Sequence, residues 1–238
     1  MIDEALAAAF GVPEITIVSD YSITPELAEQ CYDLGNKLCL SGIAVDKQVY
    51  RNKLYAAPDF CIVFINKKTN KVVGYFIILP LTNDAILRYM DGKLSHDSIK
   101  PSDLQDIEDD QIFNLFFDSL VLHPDYQTSK MAKLFFALLG NMLVERARRF
   151  SYCNYILIEQ HKAFEKTICE KLNAKLLKMV KCPSGRVGNL YGAKFDHKIF
   201  QRLPNYAVLD FAYSNKNAER MLSYTTDLWA QYQDTKKG

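Results

Sequence analysis

The sharpest change of hydrophobic rhythm along the sequence lies between residues 112 and 143. Ile112 to Leu122 is an almost unbroken apolar and aromatic run, interrupted by Asn114 and the Asp118–Ser119 pair, and it predicts a strand buried on both faces of a central sheet. Pro124 stops it. Beyond that point Met131, Leu134, Phe135, Leu138, Leu139, Met142 and Leu143 recur at three- and four-residue spacing, which predicts an amphipathic helix from Met131 to Phe150. Arg146, Arg148 and Arg149 gather at its far end, where the helix macrodipole favours cations.

The same reading applied from the N-terminus gives an ordered series. Residues 2–10 read as a short helix ended by Val12-Pro13, followed by a strand from Glu14 to Val18. Thr24 caps a helix that opens with Pro25 and runs through Leu27, Cys31, Leu34 and Leu38 until Ser41-Gly42 breaks it, and Val45 to Tyr55 is a second helical stretch. Phe60–Ile65 and Lys71–Leu79, joined by the polar turn Asn66–Asn70, form a hairpin. Leu81 to Asp110 reads as an insertion with a helix at Asp84–Met90 and an acidic run from Asp103. We expect a solvated loop there, the alternative being a segment folded over an acceptor site. Tyr155–Glu159 is a further strand and Lys162–Leu172 a short helix. Lys178–Lys181 and Asn189–Phe195 close a final hairpin around the turn Cys182–Gly188. Past residue 196, Tyr206–Phe211 suits a strand and Asn215–Gln233 a helix. Met221, Leu222, Leu228 and Trp229 share one apolar stripe there, which needs cover from the same polypeptide or from a second copy in a homodimer.

At 238 residues the protein is long enough for one large domain, or one domain with an appendage, to bury a core. A net charge of +1 gives no electrostatic reason to expect nucleic acid or an anionic membrane as a partner. Acids near the N-terminus and the lack of any run of ~20 apolar residues argue for a cytoplasmic protein without a signal peptide or membrane span. The six cysteines show no C-x-x-C pair and no zinc spacing with the four histidines, so reduced, packed thiols and no metal site are expected.

The turn Gln127-Thr-Ser-Lys-Met-Ala132 brings backbone N–H groups to a helix N-terminus, where peptide dipoles and unpaired donors suit a phosphate or pyrophosphate. This stretch resembles the acyl-CoA-binding segment of the GNAT N-acetyltransferase superfamily, whose pattern is Gln/Arg-x-x-Gly-x-Gly/Ala after a strand ending in hydrophobic-x-Pro. Gln127, Ala132 and Leu122-His123-Pro124 match, while Lys130 stands at the central glycine. That replacement is harmless if the turn keeps helical dihedrals, and its ammonium then has a phosphate in reach. The order of elements is similar to the same family's, as are Val73-Gly74-Tyr75-Phe76 and Leu190-Tyr191. Cys169-Glu-Lys-Leu-Asn-Ala174 resembles the family phrase Tyr-Glu-Lys-x-Gly-Phe, with Cys169 at the tyrosine and Asn173-Ala174 at Gly-Phe. Asn173 suits a helix end that needs a left-handed residue.

The resemblance spans residues 14–196. It implies a mixed α/β (α+β) fold with a mostly antiparallel central sheet flanked by helices. The division is a GNAT-like domain over 1–196 and a C-terminal extension, 197–238, packed on it. It also implies an enzyme that moves an acetyl group from acetyl-CoA to a primary amine of a small molecule or peptide within a ternary complex. In that family a splayed strand, here Leu120, Val121 and Leu122, pairs its backbone with the pantetheine arm. The turn Gln127, Thr128, Ser129, Lys130, Met131 and Ala132 takes the pyrophosphate. A carboxylate near the strand split removes the amine proton, and Asp118 and Glu159 are the candidates, each equally readable as a buried pairing group or a solvated strand end. His123 is a third. Cys169 occupies the position of the acid that protonates the departing sulfur, against a reading as a packed, inert thiol, with Tyr126, Tyr152 and Tyr155 as remote substitutes. The acceptor falls to the loops around Gly42–Tyr55, Leu81–Asp110 and Pro183–Gly188. A non-catalytic CoA-sensing or partner-binding protein of the same fold is the alternative function.

Overall fold

Among the described residues each β-rich run of the sequence becomes a strand, and the helical periodicities fall between them in the expected order. The computed structural model describes residues 2–19, 22–38, 46–109, 111–149, 151–160, 163–181 and 187–194. The elements are α1 (Ile2–Ala9), β1 (Ile15–Ser19), α2 (Pro25–Leu38), α3 (Lys47–Ala56), β2 (Cys61–Asn66), β3 (Lys71–Leu81), α4 (Asn83–Met90) and β4 (Ile112–Leu122). They continue with α5 (Ser129–Arg148), β5 (Tyr152–Gln160), α6 (Ala163–Lys171), β6 (Lys175–Lys181) and β7 (Val187–Lys194). The strands form a seven-stranded sheet in the order β1-β2-β3-β4-β5-β7-β6. Pairs β1–β2, β2–β3, β5–β7 and β6–β7 are antiparallel. This is the mixed α/β fold with a mostly antiparallel sheet that the sequence predicts. No helix among the described residues is long and apolar enough to cross a membrane. The strand expected at Tyr206–Phe211, the helix at Asn215–Gln233, the boundary after residue 196 and the turn residues 182–186 lie outside the described residues.

The described residues fall into two compact units, one drawn from residues 2–79 and 117–139 and the other from residues 80–116 and 140–194. In the first, β1, β2 and β3 form a meander whose register runs from Ile15↔Asn66 to Ser19↔Ile62, and from Cys61↔Ile77 to Asn66↔Lys71. Thr24 Oγ1 accepts from Leu27 N–H (3.3 Å) at the start of α2, and Asp46 Oδ1 accepts from Gln48 (2.8 Å) and Val49 (3.1 Å) N–H at the start of α3. The core is aromatic: Tyr32, Tyr50 and Tyr75 stack edge to face at 5.8 and 5.9 Å, and Phe135 of α5 meets Phe76 at 4.8 Å and Phe117 at 5.9 Å. All the apolar positions of the α5 stripe from Met131 to Leu143 are buried except Met142, which is half-buried.

In the second unit β5 is buried from Tyr152 to Ile158. It starts three residues before the predicted Tyr155, because Tyr152 N–H finds the Gln111 carbonyl at 2.9 Å and extends the pairing. Helix α6 closes as its sequence predicts. Asn173 sits at φ 50°, its N–H reaches Glu170 C=O (3.2 Å) and Ala174 N–H reaches Cys169 C=O (2.8 Å), the paired bonds of a Schellman ending.

The expectation of a solvated loop over Leu81–Asp110 is corrected by the structure. Ala85, Ile86, Tyr89, Met90, Leu94 and Ile99 are buried, while the segment's polar turns, such as Asp91 to Lys93 and Lys100 to Ser102, and most of the acidic tail stay exposed. Its neck is closed by an antiparallel bridge, Leu81↔Leu104, flanked by Thr82 N–H to Asp103 C=O (3.0 Å) and Gln105 N–H to Pro80 C=O (2.7 Å). Asp103 belongs to the neck. Burial pushes its carboxyl pKa up, but Lys100 N–H (2.8 Å) and the Arg88 guanidinium outweigh burial and bring it below its ordinary 3.8. A depressed carboxyl contributes stability that is complete above its unfolded pKa and is lost as pH falls through the folded value. Amide exchange protection of Thr82 and Gln105 should therefore drop on acidification below about pH 3.8, ahead of β5. Asp103→Asn should lower that protection at neutral pH by roughly 1 kcal/mol, a figure discounted because Arg88 is partly in solvent, and should remove the acid step.

Candidate functional site

The end of β4, the turn after it and the first half of α5 lie in the first unit. Strand β4 is buried on both faces from Phe113 to Asp118, then Ser119, Leu120 and Val121 become half-exposed before Leu122 is buried again. Because successive residues face opposite sides of a strand, exposure at three in a row means that both faces open toward this end. On its other side the strand is held tightly. His123 N–H bonds Val73 C=O at 2.8 Å, and a Cβ on Gly74 would stand 2.9 Å from the Val121 carbonyl oxygen and 2.5 Å from Leu122 Cδ1. Only glycine allows this approach.

The turn is anchored from three directions. Gln127 Nε2 donates to Leu122 C=O (2.9 Å), Asn66 Nδ2 donates to the Tyr126 hydroxyl (2.6 Å), and the Lys130 ammonium donates to Gly11 C=O (3.3 Å). Thr128 is the cap of α5: its Oγ1 accepts from Met131 N–H (3.3 Å) and its C=O from Ala132 N–H (3.0 Å). Of the four N–H groups expected to meet a phosphate, Met131 and Ala132 are thus engaged within the helix. Ser129 and Lys130 stand at the first two helical positions, where geometry leaves N–H groups without an intrahelical partner. Lys130 keeps helical dihedrals, since the positive-φ non-glycine residues among those described are Asn70 and Asn173, so its place at the family glycine imposes no strain. Its side chain, expected to reach a phosphate, instead ties α5 to the corner after α1.

Asp118 is not an open carboxylate. Lys53 of α3 brings its ammonium to 2.8 Å from Oδ1, Ser119 Oγ donates to Oδ2 (3.0 Å), and the two ionic side chains are 5% and 1% exposed. Lys53 was missed in the sequence, although a signal exists: it occupies the apolar stripe of α3 between Tyr50 and Leu54, at the spacing of a core residue. His123 is half-buried in the loop, its Nδ1 accepting from Asp125 N–H at 3.4 Å.

The second unit holds the other candidates. Glu159 is half-exposed near the end of β5, and the buried Tyr89 of α4 donates its hydroxyl hydrogen bond to Oε2. Lys178 of β6 donates to the C=O groups of Tyr89 (3.4 Å) and Met90, where a helix C-terminus accepts a cation well. Tyr89 was also missed as a site residue, although it lies in the helix predicted over Asp84–Met90. Cys169 is 2% exposed, and burial, aided by Glu165 and Glu170, pushes its thiol up to about 12. Tyr152 and Tyr155 are buried in β5 and Tyr126 is half-buried in the turn. Cys31, Cys61 and Cys153 are free and buried like Cys169, and no cluster of three or more potential metal ligands exists among the described residues.

No protein-family model and no curated protein matches the sequence. Among solved structures, the protein is similar to Ard1 from Thermoplasma volcanium, with 10% identity over 77% of this sequence and 99% of that one and a TM-score of 0.49. It is similar to Arabidopsis thaliana Naa50 in complex with the bisubstrate analogue CoA-Ac-MVNAL, at 10% identity, 76% and 99% coverage and a TM-score of 0.48. A polyamine N-acetyltransferase of Drosophila melanogaster is similar at 10% identity, 76% and 100% coverage and a TM-score of 0.47.

Removing one member of a buried pair leaves an uncompensated charge, so Lys53→Met should destabilise the protein by about 3–5 kcal/mol in urea unfolding. The double replacement Lys53→Met with Asp118→Leu should recover most of that loss, because apolar substitutes need no counter-ion.

Proposed function

We propose that this protein is an acyl-CoA-dependent N-acyltransferase of the GNAT type, transferring an acetyl group from acetyl-CoA to a primary amine of a small molecule or peptide. The observation that carries this reading is the strand–turn–helix of the first unit, where a strand end open on both faces runs into a capped helix start with N–H groups at Ser129 and Lys130. Bound there, acetyl-CoA supplies the thioester whose carbonyl carbon an amine attacks. The backbone of Leu120, Val121 and Leu122 orients the pantetheine arm, and the N–H groups of Ser129 and Lys130 meet the pyrophosphate at the positive end of the α5 dipole.

Glu159 is the base in this reading. A base must lie within reach of the attacking nitrogen and accept a proton, and Glu159 is half-exposed whereas Asp118 is engaged on both oxygens by Lys53 and Ser119. Asp118 then serves the strand and not the chemistry. Cys169 is a poor source for the returning proton, because a thiol near 12 holds its proton more tightly than an ordinary thiol of ~8.5. Water is left to protonate the departing sulfur.

The same thiol favours a second reading, a CoA-binding protein that does not turn over. A calorimetric titration with CoA and acetyl-CoA, followed by turnover on a panel of primary amines, separates the two. Acetyl-CoA at ~100 times its dissociation constant should stabilise the fold by ~2.7 kcal/mol. Glu159→Gln should retain that binding and lose ~10²–10⁴-fold in rate. Binding without turnover on any amine would favour the second reading, and the absence of binding would overturn both. An undiminished rate in Glu159→Gln would pass the base role to His123 or to solvent.

A further inference from the structure

Helix α4 lies across the second unit in a way that the loop reading of its sequence did not suggest. The antiparallel registers place Glu159 opposite Leu190 and Leu190 opposite Lys178, so these three residues form one row across β5, β7 and β6 with side chains on a common face. Tyr89 contacts both ends of that row: its hydroxyl donates to Glu159 Oε2, and its backbone carbonyl accepts from Lys178 Nζ at 3.4 Å. The phenol ring is fixed in turn by Phe116, 4.7 Å away at 52°, and the residue is 3% exposed. Thr82 caps the helix start by accepting from Ala85 N–H (3.2 Å), and the Leu81↔Leu104 bridge closes the segment behind it. A buried tyrosine hydroxyl requires a partner, and here the partner is the carboxylate assigned above as the base.

We infer that Tyr89 is a positioning residue for Glu159. This rests on the acyltransferase reading for the role of Glu159. The hydrogen bond acts in two ways. It commits one carboxylate oxygen and so sets the side-chain rotamer before the amine arrives, which is pre-organisation of the proton acceptor. As a donor to the ionised form, it also keeps the carboxylate deprotonated to lower pH than it would reach without the bond. Lys178 on β6 shares the face of this row and serves the carbonyls at the end of α4, and His96 packs its ring 6.5 Å from Phe116.

Tyr89→Phe removes one oxygen atom and keeps the ring against Phe116. Two measurements on the full-length protein decide the matter. The first is ¹³C NMR titration of the Glu159 carboxyl, assigned by its loss in Glu159→Gln and needing neither acetyl-CoA nor turnover. In Tyr89→Phe its midpoint should move up by about one pH unit. The second is the pH profile of kcat/KM. Its acid limb should shift upward by the same amount, leaving the variant up to ~10-fold slower at low pH and nearly equal to the unmodified protein at high pH. A role in packing alone would scale the rate equally at every pH and leave the carboxyl titration in place, and that result overturns the inference. A moved titration in a protein that neither binds acetyl-CoA nor acylates amines overturns the acyltransferase reading, and with it the role of Tyr89, while preserving the coupling of the pair. Should Tyr89→Phe fail to fold, Lys178→Met supplies the second arm. It frees the end of α4 that carries Tyr89, and a smaller upward movement of the same titration is expected. No movement in that variant would count against the inference.

Discussion

A lysine ammonium and an aspartate carboxylate face one another at 2.8 Å with almost no solvent around either. Desolvating two charges is costly, and only close contact and further hydrogen bonds offset it, so this pair tolerates little displacement. Lys53 belongs to α3 and Asp118 to β4, hence the pair fixes where along the strand the helix must sit. Immediately beyond it the strand opens: Ser119, Leu120 and Val121 are half-exposed while everything from Phe113 to Asp118 is buried. Closure on the opposite edge, through Gly74 and the His123–Val73 hydrogen bond, keeps the opened end straight. A rigid strand whose last residues lack cover is what a backbone-reading site requires, and the ion pair is where rigidity and openness meet.

The two carboxylates that the sequence offered as equivalents have different surroundings. Asp118 has a cation and a hydroxyl on its oxygens inside the core, whereas Glu159 accepts a phenol hydrogen bond and is half-exposed. Environments of that kind divide a structural acid from a chemical one. Cys169 illustrates the same principle for a thiol. Its position in the sequence suggests an acid, but its burial beside Glu165 and Glu170 holds the proton in place.

Where local chemistry decides the outcome, the sequence was readable. β4 runs from Ile112 to Leu122, as its unbroken apolar run implies, and Thr24 and Asn173 perform the cap and the left-handed ending that their side chains suit. The mostly antiparallel central sheet was expected from family resemblance rather than from periodicity, since pairing partners lie far apart in the sequence. The partner of Lys53, the role of Tyr89 and the fate of Lys130 were not readable, because each is settled by a group 65, 70 or 119 residues away. The segment 81–110 was misjudged for a related reason. Its Gly92, Pro101 and acidic run mark turns truthfully, but the apolar residues between them are few and irregular, and their burial depends on surfaces supplied by the rest of the unit.

The closed neck at Leu81 and Leu104 has an evolutionary meaning. Two residues joined by a β-bridge hold the ends of the excursion together whatever lies between them, and the entropy of closing a loop grows only with the logarithm of its length, by about 0.6 kcal/mol for each doubling. Descendants of this protein can therefore lengthen, shorten or rewrite the stretch between the bridge residues without disturbing the sheet to which it is stapled. On the acyltransferase reading proposed above, selection for a new amine would find its raw material there. The open end of β4, gripped by glycine, imidazole loop and ion pair, offers no such latitude, so on that reading cofactor recognition and acceptor choice are free to change at very different speeds.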